Sequence, residues 1–205
     1  MKTKSVKNLL NILYVLILII GAYYVLTRAF SMVVPSQESY GDYYFSRVNI
    51  LLPHIILGII AIIIGPFQFI PSFRNKNIHR HRLLGRIYLV CVVLGGITGM
   101  YLALTSQVNL GYKFGLMAMS FFWASTGLMA FFSIKKRKIE LHKEWMLRSY
   151  TITFTAFVFT RLIIDVLQPL KIAEPVDIYA LSVWSSWVIP LLILEMVIQG
   201  KKMYS

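Results

Sequence analysis

Four stretches of this chain contain no Lys, Arg, Asp or Glu: residues 8–27, 48–73, 87–112 and 114–134. A helix that crosses a bilayer needs about 20 apolar residues, because the hydrocarbon core is about 30 Å thick and each residue rises about 1.5 Å. All four stretches meet that length, and none alternates as a strand would. Two further runs are apolar but interrupted, 149–168 by Arg161 and Asp165 and 178–199 by Glu195. The pattern predicts an all-α, polytopic membrane protein with six transmembrane helices. It forms a single membrane domain over 1–205, with the first helix, 8–28, peripheral to a core of four to five helices over 49–199.

Composition supports this reading. Hydrophobic residues make up 58% of the 205 and charged residues 14%, against about a quarter charged in soluble domains. A net charge of +13 would suit nucleic acid, but the basic residues lie in short segments between apolar runs. The partner they imply is the lipid bilayer, with anionic lipid at the cytoplasmic face, and no nucleic acid. The single cysteine, Cys91, can form no internal disulfide, and no CxxCH haem-attachment motif is present. The basic residues 1–7 precede an uncharged run without an A-x-A cleavage site, so the first span is read as retained.

Orientation follows from Lys and Arg in short loops. With the N-terminus inside, the inner segments carry Lys2, Lys4, Lys7, Arg74, Lys76, Arg80, Arg82, Arg86, Lys135, Lys136, Arg137, Lys138, Lys143, Arg148, Lys201 and Lys202, and the outer segments only Arg28, Arg47, Lys113 and Lys171. That bias predicts an N-in/C-in arrangement, with both termini cytoplasmic. The stretch 75–86, with His79 and His81 between basic residues, reads as a cytoplasmic loop joining the second and third spans. Gly95 and Gly99 form a GxxxG in the third span, where another helix of the bundle is expected to approach closely. Tyr40, Tyr43, Tyr44, Phe45, Trp145 and Tyr179 are expected at the headgroup level.

Two polar clusters follow from depth. By the helical rise, His54 lies about 9 Å inside the outer boundary, Arg161 about 10 Å and Asp165 about 5 Å. Tyr101 falls at a similar level. Arg161 and Asp165 are i and i+4 and so can pair, which predicts an outer cluster of His54, Arg161, Asp165 and Tyr101. Such a cluster either orients helices or forms a small-molecule, ion or proton site. The inner level collects Gln68, His81, Arg86, His142, Arg148 and Glu195. Glu195 interrupts an apolar span and is expected to pair with Arg86 or Arg148.

The inner histidines admit two cofactor readings. His81 and His142 are candidate axial ligands for a single b-type haem, with Arg86 and Arg148 opposite its propionates. A zinc hydrolase site would need a third ligand and a base, for which Glu195 and Glu140 lack supporting spacing. No metal ligand set and no catalytic residue is assigned. Three functions stay open: small-molecule or ion binding or transport, a membrane redox protein, and a non-enzymatic assembly or interaction protein.

The chain also echoes itself. His81-Arg82-Leu83-Leu84-Gly85-Arg86-Ile87-Tyr88 and His142-Lys143-Glu144-Trp145-Met146-Leu147-Arg148-Ser149-Tyr150 each read His, base, a few residues, Arg, one residue, Tyr. Two repeated hairpins, 49–105 and 113–168, would account for it. With Gly65-Pro66-Phe67-Gln68-Phe69 and His54, these motifs resemble a bacterial family of predicted membrane proteins, domain of unknown function 2306. The resemblance runs from about Pro53 to Glu195 and implies a multi-helix protein of the bacterial inner (plasma) membrane. It implies no named activity.

Overall fold

The computed structural model describes Leu16 and residues 19–204. Among these the chain is helical, with no strand. Five helices are long and apolar enough to cross a membrane: α1 (Val48–Phe69), α2 (Ile78–Leu104), α3 (Leu110–Lys135), α4 (Ile139–Leu167) and α5 (Pro175–Met203). Most of the sixth predicted span, 8–27, lies outside the described residues. Its end is helical over residues 19–24, passes through a π-helix at Val25–Ala29 and a 3-10 turn at Phe30–Val33. The predicted outer loop that follows contains a helix, Gln37–Phe45, broken at Gly41, whose φ of 67° few other residues adopt.

Helix boundaries differ from the charge pattern. The basic stretch 78–86 is not a loop but the first turns of α2, and α4 begins ten residues before Ser149, at Ile139. Asn77 starts α2, its side-chain oxygen accepting from the Arg80 amide at 3.0 Å. Asn109 does the same for α3, accepting from the Tyr112 amide at 2.8 Å, so the third predicted span ends at Leu104 rather than at Tyr112. Pro53 and Pro66 lie inside α1, and Pro190 inside α5.

Each long helix packs on the next, α3 also reaches α5, and α4 reaches α1. Glycine sets the α2–α3 approach. A Cβ built on Gly95 would lie 2.7 Å from the Trp123 ring, and one on Gly96 would lie 2.9 Å from the Ser120 carbonyl oxygen. Gly65 of α1 is filled in the same way by the Tyr150 ring of α4. The core beneath joins Ala61, Tyr88, Cys91, Val92, Ala130 and Met146. Phe67, Phe121, Phe132, Leu192 and Met196 are exposed. No span has more than 39% of its apolar window buried, so these faces need an apolar solvent, which a bilayer supplies.

Candidate functional site

The N-terminal end of α4 and the C-terminal end of α5 are joined by charge. Arg148, 8% exposed, places Nη2 2.7 Å and Nε 2.9 Å from Glu195 Oε2. The other Glu195 oxygen accepts from Gln199 at 2.6 Å. Arg148 Nη1 is 3.6 Å from Glu144, which also accepts from Lys202 at 2.8 Å. Two cations thus meet two carboxylates, and the set is neutral. The Arg148 guanidinium also lies 4.7 Å from the centre of the Trp145 ring, a cation–π contact. Trp145 is half-buried and packs against the core. Arg86 is exposed and takes no part in the pair.

His142 is held by α3. Its Nδ1 lies 2.9 Å from the Ala130 carbonyl oxygen. A carbonyl only accepts, so Nδ1 carries the proton and Nε2 of the neutral ring holds a lone pair. His81 interacts electrostatically with His142, Arg74 and Arg82. Gln68, at the end of α1, lies over Gly85, its Oε1 3.1 Å from where a Cβ would stand. His81 and Gly85 are i and i+4 on α2, so Gln68 and His81 share one interface. His79 is exposed on the other side.

Five buried side-chain nitrogens among the described residues have no hydrogen-bond partner, and four belong to this level: Gln68 Nε2, His81 Nδ1, Trp145 Nε1 and Arg148 Nη1. The fifth is Trp187 Nε1, midway along α5. Native interiors leave few such groups, since each costs about 1–3 kcal/mol.

The outer residues are distributed over separate places. His54 Nδ1 donates to the Gly95 carbonyl at 3.0 Å and lies 3.2 Å from Thr98 Oγ1. Its ring meets Trp123 edge-on at 6.3 Å and is accommodated by Gly99. Asp165 pairs with the N-terminal segment, accepting from Tyr24 at 3.1 Å and facing Arg28 at 3.4 Å. No ion pair or hydrogen bond joins Arg161 to Asp165 among the described residues; Arg161 lies within electrostatic range of Tyr112 instead. Tyr101 is 49% exposed.

Between the two levels runs a network of neutral hydrogen bonds, formed by residues outside both predicted clusters. Trp123 Nε1 donates to Thr153 Oγ1 at 2.7 Å, and Tyr88 OH lies 3.0 Å from both Ser149 Oγ and Thr153 Oγ1. Thr153 Oγ1 donates its proton to the Ser149 carbonyl at 2.8 Å. Tyr88 must therefore donate to Thr153, and Ser149 to Tyr88. Every donor is used, and α2, α3 and α4 are tied together. The signal in the sequence was the i, i+4 spacing of Ser149 and Thr153.

The residues of the two levels form no group of three or more His, Cys, Asp or Glu able to hold a metal among the described residues. A family model described as predicted membrane protein, domain of unknown function 2306, matches residues 51–198. No curated protein and no solved structure matches the chain.

Proposed function

Since the chain belongs to this family of predicted membrane proteins, we propose that it binds a small molecule at its inner polar level, as a six-span, N-in/C-in protein of a bacterial plasma membrane. The observation that carries this reading is the concentration at one level of buried nitrogens that lack a hydrogen-bond partner. Those of Gln68, Trp145 and Arg148 can only donate, and His81 Nδ1 donates in one of its tautomers. Their natural complement is a molecule rich in acceptor oxygens. Anionic lipid along the basic inner rim accompanies this site. The single-domain reading with hairpins 49–105 and 113–168 places His81 and His142 alike, each in the opening turns of the hairpin's second helix.

Native mass spectrometry of the full chain in mild detergent tests the proposal. A retained small molecule that is lost from His81→Ala and Gln68→Leu is the expected result. A protein equally bare in every form would end this reading.

One observation favours haem as a second reading. The bond from His142 Nδ1 to the Ala130 carbonyl presents Nε2 as an iron-ligating lone pair, the arrangement by which second-shell acceptors orient ligating histidines. His81 would supply the opposite ligand. A Soret band that disappears with either histidine would select it, and a colourless protein retaining another ligand would reject it.

A further inference from the structure

The interface between the inner ends of α1 and α2 combines two features that point to one ligand chemistry. The first is a pair of unpartnered buried nitrogens, Gln68 Nε2 and His81 Nδ1, on the shared face that Gly85 opens. The second is positive charge nearby, since the guanidinium groups of Arg74 and Arg82 both act on His81. Arg74 is half-buried, on the short helix Pro71–Lys76 that packs against α2. Among the described residues no carboxylate acts on His81, in contrast to Arg148, which two glutamates neutralise. A divalent cation is disfavoured in such surroundings by like-charge repulsion. An anion with several acceptor oxygens would use the donors and offset the charge together.

We propose that Gln68, His81 and Arg74 form a site for a phosphate group, carried by a lipid headgroup or by a free phosphorylated molecule. This rests on the small-molecule reading above and narrows its ligand to one class. Gln68 donates through its amide, His81 through Nδ1, and Arg74 supplies the neutralising charge from the adjoining helix. The site lies at the end of a membrane-length helix and beside a basic rim, the level at which inner-leaflet phosphates lie.

The neutrality of Gln68 makes the site separable from the general attraction of a basic surface. The full chain is purified in detergent, stripped of lipid, and studied as wild type, Gln68→Leu, the nearly isosteric Gln68→Glu, and Lys201→Ala elsewhere on the rim. One arm reads the melting temperature in inorganic phosphate against chloride at equal ionic strength. The other reads adducts of phosphatidylglycerol in native mass spectra. The expected result is saturable binding that weakens about ten-fold in Gln68→Leu, the loss of one charge-assisted hydrogen bond, and is abolished in Gln68→Glu, while Lys201→Ala binds normally. Binding in the lipid arm alone identifies a headgroup; binding in both shows that free phosphate suffices. Adducts that fall in Lys201→Ala and ignore both Gln68 variants overturn the site in favour of surface attraction. A retained molecule without phosphate, lost in Gln68→Leu, sinks the phosphate assignment but keeps the small-molecule reading. No binding of any kind sinks both.

Discussion

Arg148 of α4 and Glu195 of α5 meet at a single carboxylate oxygen, which accepts a hydrogen bond from Nε at 2.9 Å and forms an ion pair with Nη2 at 2.7 Å. The pair is asymmetric: the Arg148 side chain is 10% exposed and that of Glu195 38%. Replacing Glu195 by Leu therefore strands a buried guanidinium on the weaker contact to Glu144. Replacing Arg148 by Met leaves a carboxylate that Gln199 and water can still serve. We expect Glu195→Leu to cost about 1–3 kcal/mol, after allowing for solvent screening on its side, and Arg148→Met to cost less. The double variant should recover much of the loss, because no unpaired charge remains. Melting in detergent across the four forms checks this, and strictly additive losses would refute the coupling.

The proton assignment at Tyr88 ranks three variants. Thr153→Val removes the acceptor used by both Trp123 and Tyr88 and leaves two buried donors unpaired. Tyr88→Phe leaves only the Ser149 hydroxyl without its acceptor. Ser149→Ala strands nothing, because Tyr88 still donates to Thr153. The expected order of destabilisation is Thr153→Val, then Tyr88→Phe, then Ser149→Ala, with Tyr88→Phe near 1 kcal/mol, roughly the scale of membrane hydrogen bonds. Unfolding in mixed micelles measures it. If Ser149→Ala proved the most damaging, the assigned donors would be reversed.

The apolar runs made the long helices legible, because lipid tolerates few charges and only self-satisfied backbone. They did not make helix ends legible. Charge marks where the hydrocarbon stops, whereas the hydrogen-bond ladder continues into the polar zone until a cap ends it. The charges of Ile78–Arg86 therefore suggest a loop, although Asn77 carries the start signal of the helix. Glu195 could be matched to a short choice of partners because it is the one charge in its run. Asp165 could not, since helical spacing proposes Arg161 while Tyr24 and Arg28 arrive from a segment far away in sequence. The Tyr88 network was hidden because single hydroxyls in apolar helices look alike until packing brings them together.

Glycine gives a contrast within one bundle. A Cβ on Gly96 would meet the Ser120 backbone oxygen at 2.9 Å and the Ala124 Cβ at 2.7 Å, neither of which can swing aside, whereas one on Gly58 meets nothing within 4 Å. Gly96→Ala should separate α2 from α3 and destabilise by about 1–3 kcal/mol, as overpacking does. Gly58→Ala should be neutral or stabilise by up to about 1 kcal/mol through helix propensity. Melting temperatures moving the same way for both would contradict the packing described for α2 and α3.

The N-in/C-in arrangement can be tested on either side of α1. Ser36 precedes it and Ser72 follows it, in the short helix Pro71–Lys76. Both residues are small and polar, and Cys91 is buried, so a Cys91→Ala background with Ser36→Cys or Ser72→Cys reports one site at a time. In intact cells an impermeant maleimide should modify the Ser36→Cys form. The Ser72→Cys form should react only after the membrane is opened, because the basic rim beside it faces the cytoplasm under the positive-inside rule. Labelling of Ser72→Cys alone would invert the protein and place the Gln68 and His81 level at the outer face. Labelling of both from outside would mean that α1 does not cross the bilayer.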